Sequence, residues 1–291
     1  MSSAADTIRR LPGARPLAHR LLEAWDSARP LPRPRYTGSA PAVSTGHADL
    51  PFLPPSPATV GAAAMAKDAH EYVLALCEGL TPSAHLGGQI AYYQWCRDKF
   101  GDYWRYADLP TLLYAATNIL QPSSYLEIGV RMGRSASIVG SLRPECAIHG
   151  FDLWIRDYGG IENPGPDFVR EELRRVGHTG EVTLIAGDSR STVPAFLGRH
   201  PDLYFDLITV DGDHSVLGAA IDIANTLPRL KVGGILAFDD IAQAPALQRV
   251  WRELVQRDER FVTWEFTDSG FGIAAAIRVL DAPAADGAQA G

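Results

Sequence analysis

Hydrophobic and polar positions change period repeatedly along the chain after residue 123. Short apolar runs fit buried strands, and the longer amphipathic stretches between them fit helices. The pattern predicts strands at 125–128, 147–152, 182–186, 205–210 and 234–238. It predicts helices at 135–142, 167–176, 192–197, 216–227 and 246–258. Such alternation is typical of an α/β protein with a doubly wound, mostly parallel sheet.

Both ends of the chain differ from this pattern. Residues 261–267 and 273–280 predict a closing antiparallel hairpin, which brings the sheet to seven strands. A domain at 121–280 therefore follows a helical N-terminal segment at 59–120. One helix is predicted at 60–78, and a second helix begins after its capping residue Asp108 and ends at Leu120. Residues 1–58 are rich in Pro, Ala and Arg, and we interpret them as a linker or tail. The alternative is an arm that covers a neighbouring subunit or the active site. Residues 281–291 are interpreted as a disordered tail.

Composition narrows the function classes. With 291 residues, 46% apolar and 21% charged, the chain has ample material for a core. Its net charge of -7 argues against a nucleic-acid surface, and no apolar run approaches the 18 residues of a membrane span. Three widely spaced cysteines and no signal-peptide pattern indicate a cytoplasmic protein. The aromatic-rich segment 91–106 favours a homo-oligomer.

Three acids follow two apolar runs that are joined by a predicted helix. Asp211 ends the first run, and Asp239 and Asp240 end the second. Parallel neighbouring strands lie about 4.8 Å apart, so their carboxyl ends would bring the three carboxylates together. Each like-charge pair at about 4 Å costs about 4 kcal/mol at an effective dielectric near 20. The sequence therefore predicts a bound cation, Mg²⁺ or another hard divalent ion, since neither His nor Cys accompanies the acids as a ligand.

A glycine-containing turn follows the first predicted strand, in the stretch from Glu127 to Ser135. Its glycines, Gly129 and Gly133, allow a ligand to approach the backbone, and the next helix offers its N-terminus to negative groups. Arg131 stands where a dinucleotide fingerprint requires glycine, which counts against NAD and FAD. The next two strands end near acids, Asp152 and Asp188, placed to meet a ribose and an adenine.

These motifs, in this order, resemble the class I S-adenosylmethionine (SAM)-dependent methyltransferases. The residues that carry the resemblance lie at 126–135, 152, 187–188, 210–215 and 230–240. The resemblance implies a Rossmann-like fold in which Gly129 and Gly133 flank the methionine moiety, with Glu127 beneath it and Ser135 beside it. It also implies that Asp152 binds the ribose and that Asp188 lies near the adenine. The doubled acid after the last parallel strand is similar to metal-dependent O-methyltransferases of antibiotic sugars and to cephalosporin-hydroxylase-like relatives.

This resemblance implies a reaction, in which SAM donates a methyl group to a hydroxyl of a small natural-product acceptor. A cation on Asp211, Asp239 and Asp240 would polarise that hydroxyl, and a base would take its proton. Either His214 or Asp213 can serve as the base, and we favour His214 because it titrates nearer neutrality.

Several alternatives stay open from the sequence alone. A catechol-type or cephem-directed O-methyltransferase has similar motifs, and a SAM-fold subunit without catalysis would serve only as a binding partner. The loop at 154–166 fits either a lid, with Trp154 or Tyr158 covering the site, or a solvated connection.

Overall fold

The computed structural model describes residues 30–44, 54–156, 163–242 and 245–281. Seven strands form one sheet in the order β3-β2-β1-β4-β5-β7-β6. Strands β1 to β5 are parallel, and β7 pairs antiparallel with both β5 and β6. The strands are β1 Ser124–Ile128, β2 Ala147–Asp152, β3 Val182–Ala186, β4 Phe205–Val210, β5 Leu230–Asp239, β6 Phe261–Phe266 and β7 Ile273–Arg278. The predicted Rossmann-like sheet with a C-terminal hairpin is confirmed.

Nine α-helices are found in the described residues, and they cover both faces of the sheet. Helices α1 to α6 pack on one face and α7 to α9 on the other, each against its own apolar cluster. The helices are α1 Pro57–Ala64, α2 Lys67–Gly79, α3 Ala84–Phe100, α4 Leu109–Leu120, α5 Arg134–Leu142, α6 Pro166–Arg175, α7 Ser189–Arg199, α8 Val216–Thr226 and α9 Pro245–Trp251. Short 3₁₀ turns at Gly101–Tyr103 and Leu227–Arg229 and a π-helical turn at Arg252–Gln256 complete the helical structure. None of the helices in the described ranges is long and apolar enough to cross a membrane.

The N-terminal helices differ from the prediction in one respect. The sequence predicts a single helix at 60–78, whereas the structure has α1 and α2 with Ala66 extended between them (φ -73°, ψ 150°). Gly61 of α1 packs so tightly on Trp264 that a Cβ atom there would lie 2.2 Å from the indole ring. The first of the two helices is thus packed directly against β6.

Part of the predicted tail is ordered against the sheet. Residues 30–44 run along the amino-terminal edge, where Ala42 forms a parallel bridge with Val232 near the start of β5. The Tyr36 ring lies 3.6 Å from the guanidinium carbon of Arg260. This edge is opposite the one where the predicted site residues lie, so the described part of the segment does not cover the site. Residues 1–29 and 45–53 of this segment and the predicted tail beyond residue 281 lie outside the described residues.

Candidate active site

The turn after β1 is shaped by two glycines with positive φ. Gly129 (φ 94°) lies so close to β4 that a Cβ atom would be 1.9 Å from the carbonyl oxygen of Asp211. Gly133 (φ 76°) is the N-cap of α5 and packs on Val169. Arg131 also has a positive φ of 53°, which is strained for a residue with a side chain. The turn therefore places backbone atoms, rather than side chains, at the carboxyl edge of β1 and β4.

Glu127 lies fully buried beneath this turn. One of its carboxylate oxygens accepts a hydrogen bond from the Ser135 hydroxyl, while the other, Oε2, has no hydrogen-bond partner. Burial, together with the nearby charges of Asp211 and Asp152, raises the pKa of Glu127 to about 8. A buried carboxyl group of this kind stays protonated at neutral pH until a positive group comes close to it.

A cavity of about 320 Å³ opens beside the turn at the carboxyl ends of the strands, which is a usual volume for a small-molecule site. Asp152 lines it and holds two loops together, since its carboxylate accepts the backbone N–H groups of Arg131 (2.7 Å) and Trp154 (2.5 Å). Each oxygen retains a lone pair for a ligand hydroxyl. The walls are formed by Ile128, Gly129, Arg131, Phe151, Asp152, Leu153, Ile155, Asn163, Gly187, Asp188, Ser189, Arg190, Asp211, Gly212, Asp213 and His214.

Asp188 closes the far end of the cavity and also caps α7. Its side chain accepts the backbone N–H of Arg190 and forms an ion pair with that residue's guanidinium at 2.7 Å. These contacts lower the pKa of Asp188, mainly through the hydrogen bonds from the Arg190 side chain. The structure therefore gives Asp188 a helix-capping role in addition to its position in the cavity wall.

Asp211, His214 and Asp240 form a compact group at the mouth of the cavity. One potential ligand atom from each residue lies within 4.8 Å of the other two. The imidazole Nε2 of His214 is 3.4 Å from Asp211 Oδ1 and 3.3 Å from Asp240 Oδ2. Because Val210 pairs with Phe238 across β4 and β5, the acids that follow these residues start at the same level of the sheet. The expectation that no histidine accompanies the acids is wrong, because the turn after β4 folds His214 back onto them.

Asp239 lies beside this group, and its carboxylate contacts the backbone of the next residue. Its Oδ1 accepts the backbone N–H of Asp240 at 2.9 Å, and Asp240 has a left-handed φ of 62°. Burial, followed by the charges of Asp211 and Asp240, raises the pKa of Asp239 well above its usual range. Burial and then the charge of Asp211 raise the pKa of Asp240 to about 6, against the opposing effects of His214 and Arg131. The acid pair thus carries the electrostatic repulsion that a bound cation would relieve.

The two residues that the sequence offers as a base have different surroundings. Asp213 accepts the backbone N–H of Ser215 at 2.8 Å, and its carboxylate lies against Gly218 at the start of α8. His214 is more exposed and keeps its imidazole among the acids. The hydrogen bond with Asp211, opposed by burial, raises the pKa of His214.

Two features near the site are not predicted by the sequence. Asp222 in α8 is fully buried below Gly212, facing the Ser189 hydroxyl and the backbone amide of Asp213, and burial raises its pKa to about 7. The only sequence signal is an acid at an apolar position of an amphipathic helix. A second cavity of about 70 Å³ lies between the glycine turn and α3 and contains Arg134 and His85.

Trp154, one of the expected lid residues, donates its indole N–H to the Arg131 carbonyl (3.1 Å), whereas Tyr158 lies outside the described residues.

Comparisons with known proteins agree with this architecture. Residues 126–241 match a protein family described as "Methyltransferase domain". A search of curated proteins found no match.

Solved structures with similar folds include three methyltransferases. Apo CalS11, described as a TDP-rhamnose 3'-O-methyltransferase of calicheamicin biosynthesis, is 23% identical, with 72% of this chain and 93% of that chain covered and a TM-score of 0.47. TomG from Streptomyces achromogenes in complex with SAM is 18% identical, with 68% and 91% covered and a TM-score of 0.47. PaMTH1 from Podospora anserina, bound to S-adenosylhomocysteine (SAH), is 20% identical, with 80% and 99% covered and a TM-score of 0.44.

At these identities and TM-scores, the solved structures give no information about the reaction or substrate of this chain. The family match at 126–241 indicates a methyltransferase domain. The matched residues include the glycine turn, the acids after β2 and β3, and the acid–histidine group. Residues 126–241 of the chain therefore match a methyltransferase domain.

Proposed function

We propose that this protein transfers a methyl group from SAM to a hydroxyl of a sugar or other small natural-product acceptor, with help from Mg²⁺ or another hard divalent cation. The observation that carries the proposal is the position of the acid–histidine group at the mouth of the 320 Å³ cavity, which Asp211 and His214 both line. The carboxylates that would bind a cation, and the His214 imidazole that would accept a proton, thus lie next to the expected SAM site.

The cavity fits SAM in its polar groups. Asp152 has acceptor capacity for ribose hydroxyls, and Asp188 lines the same cavity after the neighbouring strand β3. The unpartnered Oε2 of Glu127 is a buried acceptor close to the glycine turn, where the methionine ammonium of SAM would supply the missing donor. This orphaned atom is the strongest single indication of an amino acid moiety.

The acids fit a divalent cation. Asp211 and Asp240 offer oxygens within 4.8 Å of each other, and Asp239 adds a third carboxylate that already bonds to the backbone of Asp240. We propose these three acids as the ligands of Mg²⁺. The nitrogen of His214 suits a softer ion such as Mn²⁺ as well, so the metal preference is part of the experiment below.

In the proposed reaction the chain's residues position the acceptor and move one proton. When bound, the cation supplies Lewis acidity that lowers the pKa of the acceptor hydroxyl, and SAM supplies an electrophilic methyl group. A bond forms between the hydroxyl oxygen and the methyl carbon while the carbon–sulfur bond breaks, leaving SAH. His214 accepts the hydroxyl proton at a ring nitrogen. We prefer His214 to Asp213 because the Asp213 carboxylate is occupied at the start of α8.

The acceptor class rests on the doubled acid Asp239–Asp240, which resembles sugar-modifying rather than catechol-type enzymes. We further propose that the protein is cytoplasmic and forms a homo-oligomer. In support of the second, the segment around α3 exposes large aromatic side chains, namely Tyr92, Trp95, Phe100 and Tyr103.

The experiment measures methyl transfer from radiolabelled SAM to a panel of hydroxylated sugars and phenols, before and after EDTA treatment and after return of Mg²⁺ or Mn²⁺. We expect EDTA to abolish transfer, Mg²⁺ to restore it, and Asp240→Asn to reduce it by at least about 100-fold. Asp202→Asn, the same change in an exposed acid before β4 at the opposite edge, serves as the control and should retain activity. Full activity after EDTA treatment and in Asp240→Asn would refute the metal, and absence of SAM binding would favour a non-catalytic subunit.

His214→Gln separates the two roles of the histidine. If His214 is the base, this variant keeps metal affinity and loses turnover. If it is a metal ligand, metal affinity falls and the base must be sought elsewhere.

A further inference from the structure

The second cavity, of about 70 Å³, lies next to the proposed donor site. It shares Gly129, Arg131 and Asp211 with the larger cavity and continues on the other side of the glycine turn. Much of its remaining wall comes from residues 80–86, which precede the matched methyltransferase domain. The N-terminal helical segment thus forms one side of a space connected to the cofactor end of the protein.

This small cavity is positively charged on the side of α3 and α5. Arg131, Arg134 and His85 line it, and the two arginines, after burial, lower the pKa of His85. Arg134 donates one hydrogen bond to Gln89, but its buried Nε has no partner. No side chain caps α5, whose first two residues, Arg134 and Ser135, face the cavity, so the helix N-terminus adds to the positive potential.

The opposite wall is fixed in place by hydrogen bonds and is largely neutralised. Glu172, which is 2% exposed, accepts both the backbone N–H (2.8 Å) and the hydroxyl (2.6 Å) of Thr81, and it also pairs with Arg175. These bonds hold the α2–α3 turn against α6. The cavity is therefore a built space whose wall includes the Arg134 side chain, with its unpartnered Nε.

The volume and the charges of this cavity indicate which kind of ligand group it can hold. About 70 Å³ is too small for a nucleoside or a sugar, but it accommodates the end of an amino acid. A ligand there would place an anionic group near Arg134 and His85 and a cationic group near Glu127, whose Oε2 lacks a partner below Ser135. An α-amino acid carries this pair of charges on one carbon.

We propose that the α-carboxylate of the methionine moiety of SAM binds in this cavity, held by Arg134 with support from His85, so that the N-terminal helices complete the cofactor site. This inference rests on the proposed function, because it assumes SAM as the donor. It assigns α3 and the turn before it a role in donor binding that the residues of the matched domain do not supply.

The test is calorimetric and needs no turnover. Wild-type protein and variants are titrated with SAH and with its decarboxylated analogue, which keeps the adenosine, the thioether and the amine. We expect the wild-type protein to bind SAH about 10- to 100-fold more tightly than the analogue, as is usual for a charge-assisted contact. Arg134→Met should bind the two ligands equally, whereas Arg134→Lys should keep part of the preference.

A matched control exists at the other end of the same helix. Arg143 follows α5 and donates to the side-chain oxygen of Gln121 (2.6 Å), as Arg134 donates to Gln89. Arg143→Met should preserve the wild-type preference for SAH. Gln89→Met removes the same hydrogen bond as Arg134→Met but keeps the cation, so it should also retain the preference.

Two results would overturn the inference while leaving the proposed function intact. One is a wild-type protein that binds SAH and the decarboxylated analogue equally. The other is an Arg134→Met variant with unchanged SAH affinity and a raised KM for the acceptor, which would assign the cations to an anionic acceptor. A wild-type protein that binds neither ligand would instead refute the proposed function itself.

Discussion

Cofactor binding should release a proton from Glu127, and the size of this release follows from its surroundings. The carboxyl group is buried, has a pKa of about 8, and leaves Oε2 without a donor. An ammonium group placed next to it favours the ionised form strongly. We therefore expect Glu127 to change from largely protonated to ionised when SAH or SAM binds.

The magnitude depends on pH in a defined way. A group with a pKa of about 8 is about nine-tenths protonated at pH 7 and about one-tenth protonated at pH 9. If binding lowers this pKa below neutrality, about 0.9 proton is released per SAH at pH 7 and about 0.1 at pH 9. Apparent affinity for SAH should accordingly rise with pH between 7 and 8 and level off above that range.

Calorimetry in buffers of different ionisation enthalpy measures the released protons directly. Titrations of SAH at saturating Mg²⁺ hold the acid–histidine group in one state, and Glu127→Gln provides the control, because the amide keeps the shape but has no proton to lose. The variant should show no release at either pH. A wild-type binding enthalpy that is independent of buffer at pH 7 would refute the reasoning.

Three further predictions concern stability, packing and assembly. The pKa of Asp222 is raised from 3.8 to about 7 in the folded protein, so stability should fall as pH rises through this range; in urea unfolding, the stability of Asp222→Asn relative to wild type should rise by about 2–3 kcal/mol between pH 5 and pH 8. Gly129→Ala should abolish SAH binding and lower the Tm, whereas Gly165→Ala, also at positive φ (102°) but with open space around it, should show only backbone strain of about 1–3 kcal/mol. Light scattering should give a mass above the 31.5 kDa of one chain, and Trp95→Ser should lower it; a monomeric wild type would contradict the proposed oligomer.

The strands were predictable because burial on both faces leaves a clear pattern. Strands β2, β3 and β4 have the bounds that their apolar runs predict. Strand β5 is longer than predicted, beginning at Leu230, because Lys231 forms an ion pair with Asp206 (2.8 Å) and a bulge absorbs the glycines. A lysine and two glycines give no strand signal on their own, and the partner that stabilises them is distant in the sequence.

The break between α1 and α2 could not be predicted for a related reason. Residues 60–78 are mostly good helix formers, so local preference favours one helix. Close to the interruption, Gly61 packs on Trp264, a contact between residues that are far apart in the sequence. Tertiary packing decides the geometry there.

The orientation of the side chains at the site could not be predicted from the sequence. Spacing was sufficient to predict that Asp211 and Asp240 share an edge, but it could not indicate that Asp213 turns towards Ser215 or that His214 folds back between the acids. The sequence gives no signal for Arg134, because an arginine at the start of a helix is common on a surface. Its significance depends on α3, which only the folded chain brings near.

The contact between Gly129 and the Asp211 carbonyl has a consequence for how such a protein can evolve. Because the turn after β1 and the strand end bearing the acids touch backbone to backbone, neither can move without the other. In the proposed reaction, the sheet itself would therefore set the distance between methyl group and cation. Changes outside this contact would therefore adapt the proposed enzyme to new acceptors, while the alignment of the reacting atoms is inherited unchanged.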